Sequence, residues 1–216
     1  MNINKKFVKR AGMTVFGVVS CAISVGLFKL AALGVDPFQS FMAGLDALIP
    51  ISFGTLYVIA NAALLLFSLI FDRRRIGLGT FINLFLTGYI VQFSYDFFQN
   101  IFGEPSMPAR ILFLLIAIVI MCFSSAFYFT AAMGVSTYDA VALILTENWK
   151  IGKFKFIRIA TDIICVVSGC LLYLLAGGSL HSIPTIAGIG TIITAFFMGP
   201  LIDYFNNHVA KPFLEK

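Results

Sequence analysis

Residues 77–88 read GLGTFINLFLTG and residues 188–199 read GIGTIITAFFMG, with six identities in twelve positions. A second pair of similar stretches precedes them in the same order, AALGV at 31–35 and AAMGV at 131–135. Either pair alone is weak, because apolar residues often coincide by chance. Two pairs in one order indicate that the chain contains an internal duplication.

The composition argues against an ordinary soluble domain. Of the 216 residues, 60% are hydrophobic and 12% are charged, whereas soluble domains contain about 45–50% apolar residues. The net charge of +5 is better explained by basic cytoplasmic loops than by nucleic acid. We therefore expect an integral membrane protein with the lipid bilayer as its partner and no nucleic-acid partner.

Six apolar runs are long enough to cross a bilayer. They lie at about 12–33, 53–71, 78–98, 111–132, 157–176 and 184–205. Two further stretches, 37–49 and 137–148, are too short to cross. The predicted fold class is all-α, with six transmembrane helices in one polytopic domain, 1–216. Its two copies are expected at about 11–98 and 110–205, each with a short non-spanning helix after its first span.

The basic residues predict the orientation of these spans. With a cytoplasmic N-terminus, thirteen of the fifteen Lys and Arg residues fall on the cytoplasmic side, as the positive-inside rule requires. Arg110 falls outside, and Lys29 lies within the first span. The thirteen are Lys5, Lys6, Lys9, Arg10, Arg73, Arg74, Arg75, Lys150, Lys153, Lys155, Arg158, Lys211 and Lys216. Both termini are therefore expected in the cytoplasm.

Three spans per copy is an odd number, so the second copy is expected to enter the bilayer in the opposite orientation. Inverted-topology repeats of this kind are found in many secondary transporters. The glycines of the two GxGT motifs, together with Gly88 and Gly199, are expected to allow neighbouring helices to approach closely.

Each short segment begins with a helix-start signal just after a glycine. Asp36 can act as N-cap with Pro37 as the first helical residue, and Ser136 with Asp139 resembles a capping box. Such a helix start inside a membrane protein offers N–H groups to an anionic or polar ligand. An amphipathic helix lying at the membrane interface has the same pattern, so the sequence leaves both interpretations open.

Polar residues within the spans are candidates for function, because they are costly at bilayer depth. Lys29 either extends toward the headgroups or pairs with Asp36 or a substrate carboxylate. Arg158 and Asp162 are expected to pair on one helix face. Asn61 and Asn83 either bond across helices or line a polar path. The predicted substrate-binding set is Lys29, Asp36, Gln39, Ser40, Asn61, Asn83, Ser136, Thr137 and Asp139.

No constellation for catalysis or metal binding is evident. The two histidines, His181 and His208, have no second histidine or carboxylate at metal-ligand spacing. The four cysteines lie in apolar runs and make no CxxC pair. We expect no enzymatic activity, no cofactor and no metal.

The chain resembles the YczE/YitT-like family of small bacterial integral membrane proteins. The resemblance rests on GVDPF at 34–38, on RRRIGLGT at 73–80 with Asn83, and on the second-half pair Tyr138 and Asp139. It covers nearly the whole chain, and it implies a six-helix protein of the bacterial plasma membrane with a role in transport. Family members often have Trp-Asp after the proline, where this chain has Phe38 and Gln39.

These observations favour a small secondary transporter or permease for a small polar or anionic metabolite, with a site between the two copies. Lys29 and the two helix starts would bind the anionic group, and Asp36 or Asp139 would couple a proton or cation. A substrate-capture subunit of a multi-component transporter is an alternative, as is a non-transporting membrane scaffold or regulator. The sequence leaves the substrate unnamed and a homo-oligomer open.

Overall fold

The chain is all-helical, as predicted. The computed structural model describes residues 3–215, of which no residue lies in a strand, and 85% of the chain is helical. Lys216 lies outside the described residues, as does the side chain of Lys155. In chain order the helices are α1 (Ile3–Ala31), α2 (Pro37–Leu48), α3 (Phe53–Phe71), α4 (Leu78–Phe102), α5 (Met107–Ala131), α6 (Thr137–Leu143), α7 (Phe154–Leu175), α8 (Ile183–Ile186), α9 (Ile189–Phe205) and α10 (Lys211–Glu215). A π-helical turn extends α6 over Ile144–Asn148, and another joins α9 to α10 over Asn206–Ala210.

Five helical stretches in the described chain are long and apolar enough to span a membrane. They are Lys5–Ala31, Phe53–Phe71, Met107–Ala131, Phe156–Leu175 and Leu180–Glu215. Helix α4 corresponds to the predicted third span and is 25 residues long, but it carries polar side chains along its length, among them Asn83, Gln92 and Asp96. The described chain thus fits a multi-pass membrane protein.

Helices α1 and α5 pack side by side at the centre of the molecule. A Cβ atom on Gly17 of α1 would lie 2.8 Å from the carbonyl oxygen of Ser124 on α5, so the two backbones approach as closely as glycine permits. Near the start of α1, Arg10 donates to the carbonyl oxygens of Ala131 and Ala132 at 2.5 and 2.9 Å. This side chain satisfies carbonyls at the end of α5 that have no helical partner.

The two AAxGV stretches form matching turns at the ends of α1 and α5. Ala32 and Ala132 have φ angles of 51° and 48°, and Gly34 and Gly134 have φ angles of 98° and 108°. The two alanines lie at the edge of the left-handed region, which a residue with a Cβ atom can adopt at a cost, whereas φ angles near 100° lie outside that region and require glycine. The sequence similarity between the two stretches therefore corresponds to one backbone conformation used twice.

Each turn docks against the GxGT motif of the other half. The N–H of Gly190 donates to the carbonyl oxygen of Leu33 at 2.8 Å, and the N–H of Gly79 donates to that of Met133 at 2.7 Å. A Cβ atom on Gly34 would lie 2.4 Å from the backbone nitrogen of Gly188, which leaves no room for any larger residue. The contacts between the halves are therefore reciprocal.

Each short helix packs against a long helix of the other half, so these contacts are reciprocal as well. Helix α2 packs on α7, and α6 packs on α3. A Cβ atom on Gly44 of α2 would lie 2.2 Å from the carbonyl oxygen of Gly169 on α7, so this crossing requires glycine. The same close approach was predicted for Gly199, but a Cβ atom there would meet nothing within 4 Å, and that prediction is wrong.

Large apolar side chains cover much of the outside of the described chain. Leu175 is 76% exposed and Phe93 is 70% exposed, whereas Phe28 and Met42 in the interior are 0% exposed. An apolar exterior of this extent is unusual for a soluble monomer and suits contact with lipid chains. Contact with lipid does not explain the polar side chains that are buried between the helices, and these are described next.

Candidate functional site

Helix α2 begins in the interior, with its first turn held by Asp36 and by the other half of the chain. The N–H of Gln39 donates to Asp36 Oδ1 at 3.2 Å, as the predicted N-cap requires. The Ser40 hydroxyl donates to the carbonyl oxygen of Ile186 at 2.6 Å and also lies 3.2 Å from that of Asp36. Ser40 therefore fixes the start of α2 against the segment that precedes α9.

Helix α6 begins with the predicted cap and is tied to α3. The N–H of Asp139 donates to Ser136 Oγ at 3.1 Å, and the Ser136 hydroxyl donates to Asp139 Oδ2 at 2.7 Å. Thr137 donates to Asn61 Oδ1 at 2.5 Å, and both residues are 1% exposed. Asn61 thus bonds across helices, which is one of the two roles expected for it.

The starts of α2 and α6 meet through aromatic side chains. The rings of Phe38 and Tyr138 are stacked with centroids 5.1 Å apart. Tyr57 of α3 packs edge-on against Phe38 at 5.8 Å. The first turns of the two exchanged helices therefore share one aromatic contact in the interior, between the two halves of the chain.

Arg158 on α7 joins this meeting point through two ion pairs. Its guanidinium is paired with Asp139 of α6 and, at 3.3 Å, with Asp162 one turn further along α7. It also lies over the Tyr138 ring, 4.4 Å from the centroid. The Tyr138 hydroxyl donates to Asp162 Oδ1 at 2.6 Å. The predicted pair of Arg158 and Asp162 is confirmed, and it belongs to a larger network.

Asp36 adds a third carboxylate to this region. It caps α2 next to Pro37, which lines the same cavity as Asp162, whereas the ion pairs of Arg158 are with Asp139 and Asp162. We call Asp36, Asp139, Arg158 and Asp162 the central charge cluster. The stacked rings of Phe38 and Tyr138 border it.

Two other polar residues of the predicted set lie apart from this network. The Lys29 ammonium is 3.8 Å from the centroid of the Phe53 ring and 5.3 Å from that of Tyr95. Its surroundings are therefore aromatic, and it forms no pair with Asp36. Asn83 on α4 is half-buried, with no hydrogen bond to other described side chains.

Three buried side-chain polar atoms have no hydrogen-bond partner among the described residues. They are Gln39 Oε1, Thr87 Oγ1 and the Tyr128 hydroxyl, on residues that are 6%, 4% and 7% exposed. Unpartnered buried polar atoms are rare in folded proteins, and each calls for a partner.

A partly open cavity of about 240 Å³ lies beside the central charge cluster, between α7 and α9. Most of the side chains that line it are apolar, and its walls include Pro37, Ile159, Asp162, Val166, Thr191 and Phe196. Asp162 therefore lies between the charge cluster and this opening. Among the described residues, no three His, Cys, Asp or Glu side chains are grouped closely enough to hold a metal ion.

Of the residues that sequence reasoning placed in a site, Asp36 and Asp139 share one cluster, and Asn61 and Thr137 share one hydrogen bond. Sequence reasoning did not include Arg158 or Tyr138 in the set. The i, i+4 spacing of Arg158 and Asp162 within an apolar helix was the signal that could have added these two residues to the set. That spacing gives no signal for Tyr138.

Comparisons with known proteins give relatives without an assigned activity. A family model described as a family of unknown function, DUF6198, matches residues 8–207. An uncharacterized protein of Haemophilus influenzae is 24% identical over 205 residues, covering 94% of this chain and 86% of the relative. The uncharacterized protein YyaS of Bacillus subtilis is 22% identical over 200 residues, covering 93% and 94%. No solved structure is a significant match.

Proposed function

The chain belongs to DUF6198, a family of unknown function, and we propose that it is a small secondary transporter or permease for a small polar solute. Its site would lie between the two halves, where the starts of α2 and α6 meet. The observation that carries the proposal is the stacking of Phe38 on Tyr138 beside the central charge cluster. Charged groups buried within a membrane protein usually mark the path of a substrate or a coupling ion.

The proposal includes six spans arranged as two inverted repeats. It is supported by the reciprocal bonds of Gly190 to Leu33 and of Gly79 to Met133. The exchanged packing of α2 on α7 and of α6 on α3 supports it further. Transporters built from inverted repeats bind their substrates where the repeats meet. The clustering of basic residues supports cytoplasmic N- and C-termini in the bacterial plasma membrane.

We take α2 and α6 to be half-helices that line the site rather than helices lying on the membrane surface. This choice is supported by burial, because the first turn of α2, Pro37 to Ser40, is buried on every side. An interfacial helix would bury one face only. The same half-helix arrangement is used by transporters to bring unpaired backbone groups to a binding site.

Kinship with the YczE/YitT-like proteins is also part of the proposal, and it rests on the sequence motifs around Asp36, Asn83 and Asp139. An uncharacterized relative named YyaS is compatible with it. Such kinship would suit a transport role without specifying a substrate.

The proposal is tested by reconstituting the purified protein in liposomes and measuring uptake and exchange of labelled amines, amino acids, organic acids and sugars. We expect saturable transport of one solute class, and Asp36→Asn should reduce it at least tenfold. The control variant is Asp46→Asn, which removes a carboxylate from the same helix outside the central charge cluster. Absence of transport for every solute, with no solute raising the melting temperature, would reject the proposal.

A further inference from the structure

The two halves of the chain differ in one contact between long helices. In the first half, α3 packs on α4. Their counterparts in the second half are α7 and α9, because α2 packs on α7 as α6 packs on α3, and because the two GxGT motifs stand at the starts of α4 and α9. No comparable packing joins α7 and α9 over the described residues, and the cavity of about 240 Å³ lies between them instead.

Glycines make the contact between α3 and α4 close. A Cβ atom on Gly88 of α4 would lie 2.5 Å from the Cβ atom of Tyr57 on α3. One on Gly54 of α3 would come too close to the Tyr89 ring of α4. Gly88 is buried, whereas Gly199, its equivalent in the second copy of the motif, is exposed and faces open space. The same helix pair is therefore closed in the first half and open in the second.

Helix α9 has a bending point beside the cavity. Pro200 lies inside α9 and has no N–H, so it cannot donate the helical hydrogen bond to the carbonyl oxygen of Phe196. The side chain of Phe196 is one of those that line the cavity. Sharp bends in helices occur chiefly at proline, and α4 contains none. The helix that borders the cavity is thus able to bend where its counterpart is not.

The walls of the cavity allow the two helices to approach each other. Asp162 is held by Tyr138 and Arg158, and Thr191 accepts a hydrogen bond from the N–H of Gly188. Contact between α7 and α9 would therefore leave neither polar side chain without a partner. It would also bury four apolar cavity residues that are now more than half exposed, which are Ile163, Val167, Ile192 and Phe196.

We infer that the cavity between α7 and α9 is a gate that closes in a second conformation, in which α9 bends at Pro200 and packs against α7 while α3 and α4 separate. One duplicated unit holds both arrangements in this structure, so exchanging them between the halves gives a conformation with equivalent contacts. Inverted-repeat transporters open their site to alternate sides by rocking one repeat against the other. The inference deepens the proposed transport function and rests on it for its physiological meaning, but the movement is measurable without transport.

The test uses the purified full chain in liposomes, in a variant without the four native cysteines. The cavity pair, Val166→Cys on α7 with Ala195→Cys on α9, joins two residues that line the cavity. A disulfide requires Cα atoms about 4.4–6.8 Å apart, which facing residues of two helices reach only in direct packing. Under oxidation by copper phenanthroline we expect an intramolecular disulfide. The outer pair, Ile164→Cys with Ala195→Cys, should form none, because Ile164 is 65% exposed and does not line the cavity.

A further substitution tests whether closing one contact opens the other. Gly88→Ala places a Cβ atom against Tyr57 and so opposes the contact between α3 and α4. It should accelerate disulfide formation by the cavity pair at least about fivefold. Gly12→Ala is the matched control, because a Cβ atom there would meet nothing within 4 Å, and the rate should stay within about twofold. If Gly88→Ala did not fold, Gly54→Ala would replace it, since its Cβ atom meets the Tyr89 ring.

Three results would each overturn the inference. They are absence of a disulfide in the cavity pair, equal yields from the cavity pair and the outer pair, and a rate that opposing the α3–α4 contact leaves unchanged. Accelerated disulfide formation without any liposome transport would reject the transport function alone. Liposome transport by a protein whose cavity pair forms no disulfide would reject the inference alone.

Discussion

The backbone N–H of Gly190 donates to the carbonyl oxygen of Leu33 at 2.8 Å, although the two residues belong to different halves of the chain. Its counterpart, Gly79 to Met133, is 2.7 Å long. Backbone groups of an irregular turn that are shielded from water must find hydrogen-bond partners within the protein. Each half here satisfies the turn of the other. The exchange therefore explains why the two glycine-containing motifs occur as pairs, and it predicts that neither half folds alone.

The first prediction concerns the turn after α5. Gly134 has a φ angle of 108°, and a Cβ atom there would lie 2.6 Å from the backbone nitrogen of Gly77. A Cβ atom at positive φ costs about 1–2 kcal/mol, and the steric conflict adds to it. Gly134→Ala should therefore lower the melting temperature by at least about 4 °C, at about 2–4 °C per kcal/mol for a chain of this size.

The control for this substitution is Gly12→Ala within α1, where a Cβ atom would meet nothing within 4 Å. Alanine is favoured over glycine inside a helix by about 0.5–1 kcal/mol, so this variant should be unchanged or slightly more stable. Both melting temperatures are measured by circular dichroism in the same detergent. Equal effects of the two substitutions would contradict the close contact between Gly134 and Gly77.

The second prediction concerns the bond from Thr137 to Asn61. Both side chains are 1% exposed and lie on helices from different halves. Thr137→Val and Asn61→Leu should each destabilise the protein, and the double variant should lose less than the two together. The coupling free energy is expected at about 0.6–1.7 kcal/mol, as for other hydrogen bonds between helices in membranes.

The free energies of unfolding of the two single variants and the double variant are measured by equilibrium unfolding in mixed micelles, as a double-mutant cycle. Ser168→Ala provides the reference, because the Ser168 hydroxyl donates to carbonyl oxygens of its own helix and should show no coupling to Asn61. Strictly additive losses for Thr137 and Asn61 would rule out a direct interaction between the two side chains.

Local features of this fold could be predicted from the sequence, whereas contacts between helices could not. Helix α3 begins and ends at Phe53 and Phe71 as the apolar run predicted, and the caps at Asp36 and Ser136 are confirmed, because capping depends on residues three apart. The partner of Asp139 was not predictable. Arg158 is 19 residues away on another helix, and only the packing of α6 against α7 brings them together.

The third prediction concerns orientation in the membrane. The charge pattern predicts that Arg74 lies in the cytoplasm and that Glu104, between α4 and α5, lies outside. In a cysteine-free variant, Glu104→Cys should react with a membrane-impermeant maleimide in intact cells. Arg74→Cys should react only after permeabilisation. Both residues are exposed, so lack of reagent access is not an alternative explanation. The reverse pattern, or labelling of both from one side, would contradict six spans with cytoplasmic termini.

The last prediction concerns Arg158, the one basic residue of the central charge cluster. Arg158→Gln would leave Asp139 and Asp162 without their shared partner. Removing one partner of a buried ion pair costs about 3–5 kcal/mol when burial is complete. Since the Arg158 side chain is 32% exposed, we expect a loss of about 2 kcal/mol in the free energy of unfolding, together with loss of transport.

A second substitution separates charge balance from shape at this position. Adding Asp139→Asn to Arg158→Gln removes one of the unpaired carboxylates, and it should recover about half of the lost stability because Asn can still accept the hydrogen bond from Ser136. Arg158→Lys keeps the positive charge but lacks the planar guanidinium whose separate N–H groups pair with Asp139 and Asp162. It should therefore retain stability better than Arg158→Gln. If the double variant were no more stable than Arg158→Gln, the destabilisation would arise from lost packing, and the charge account of the cluster would have to be abandoned.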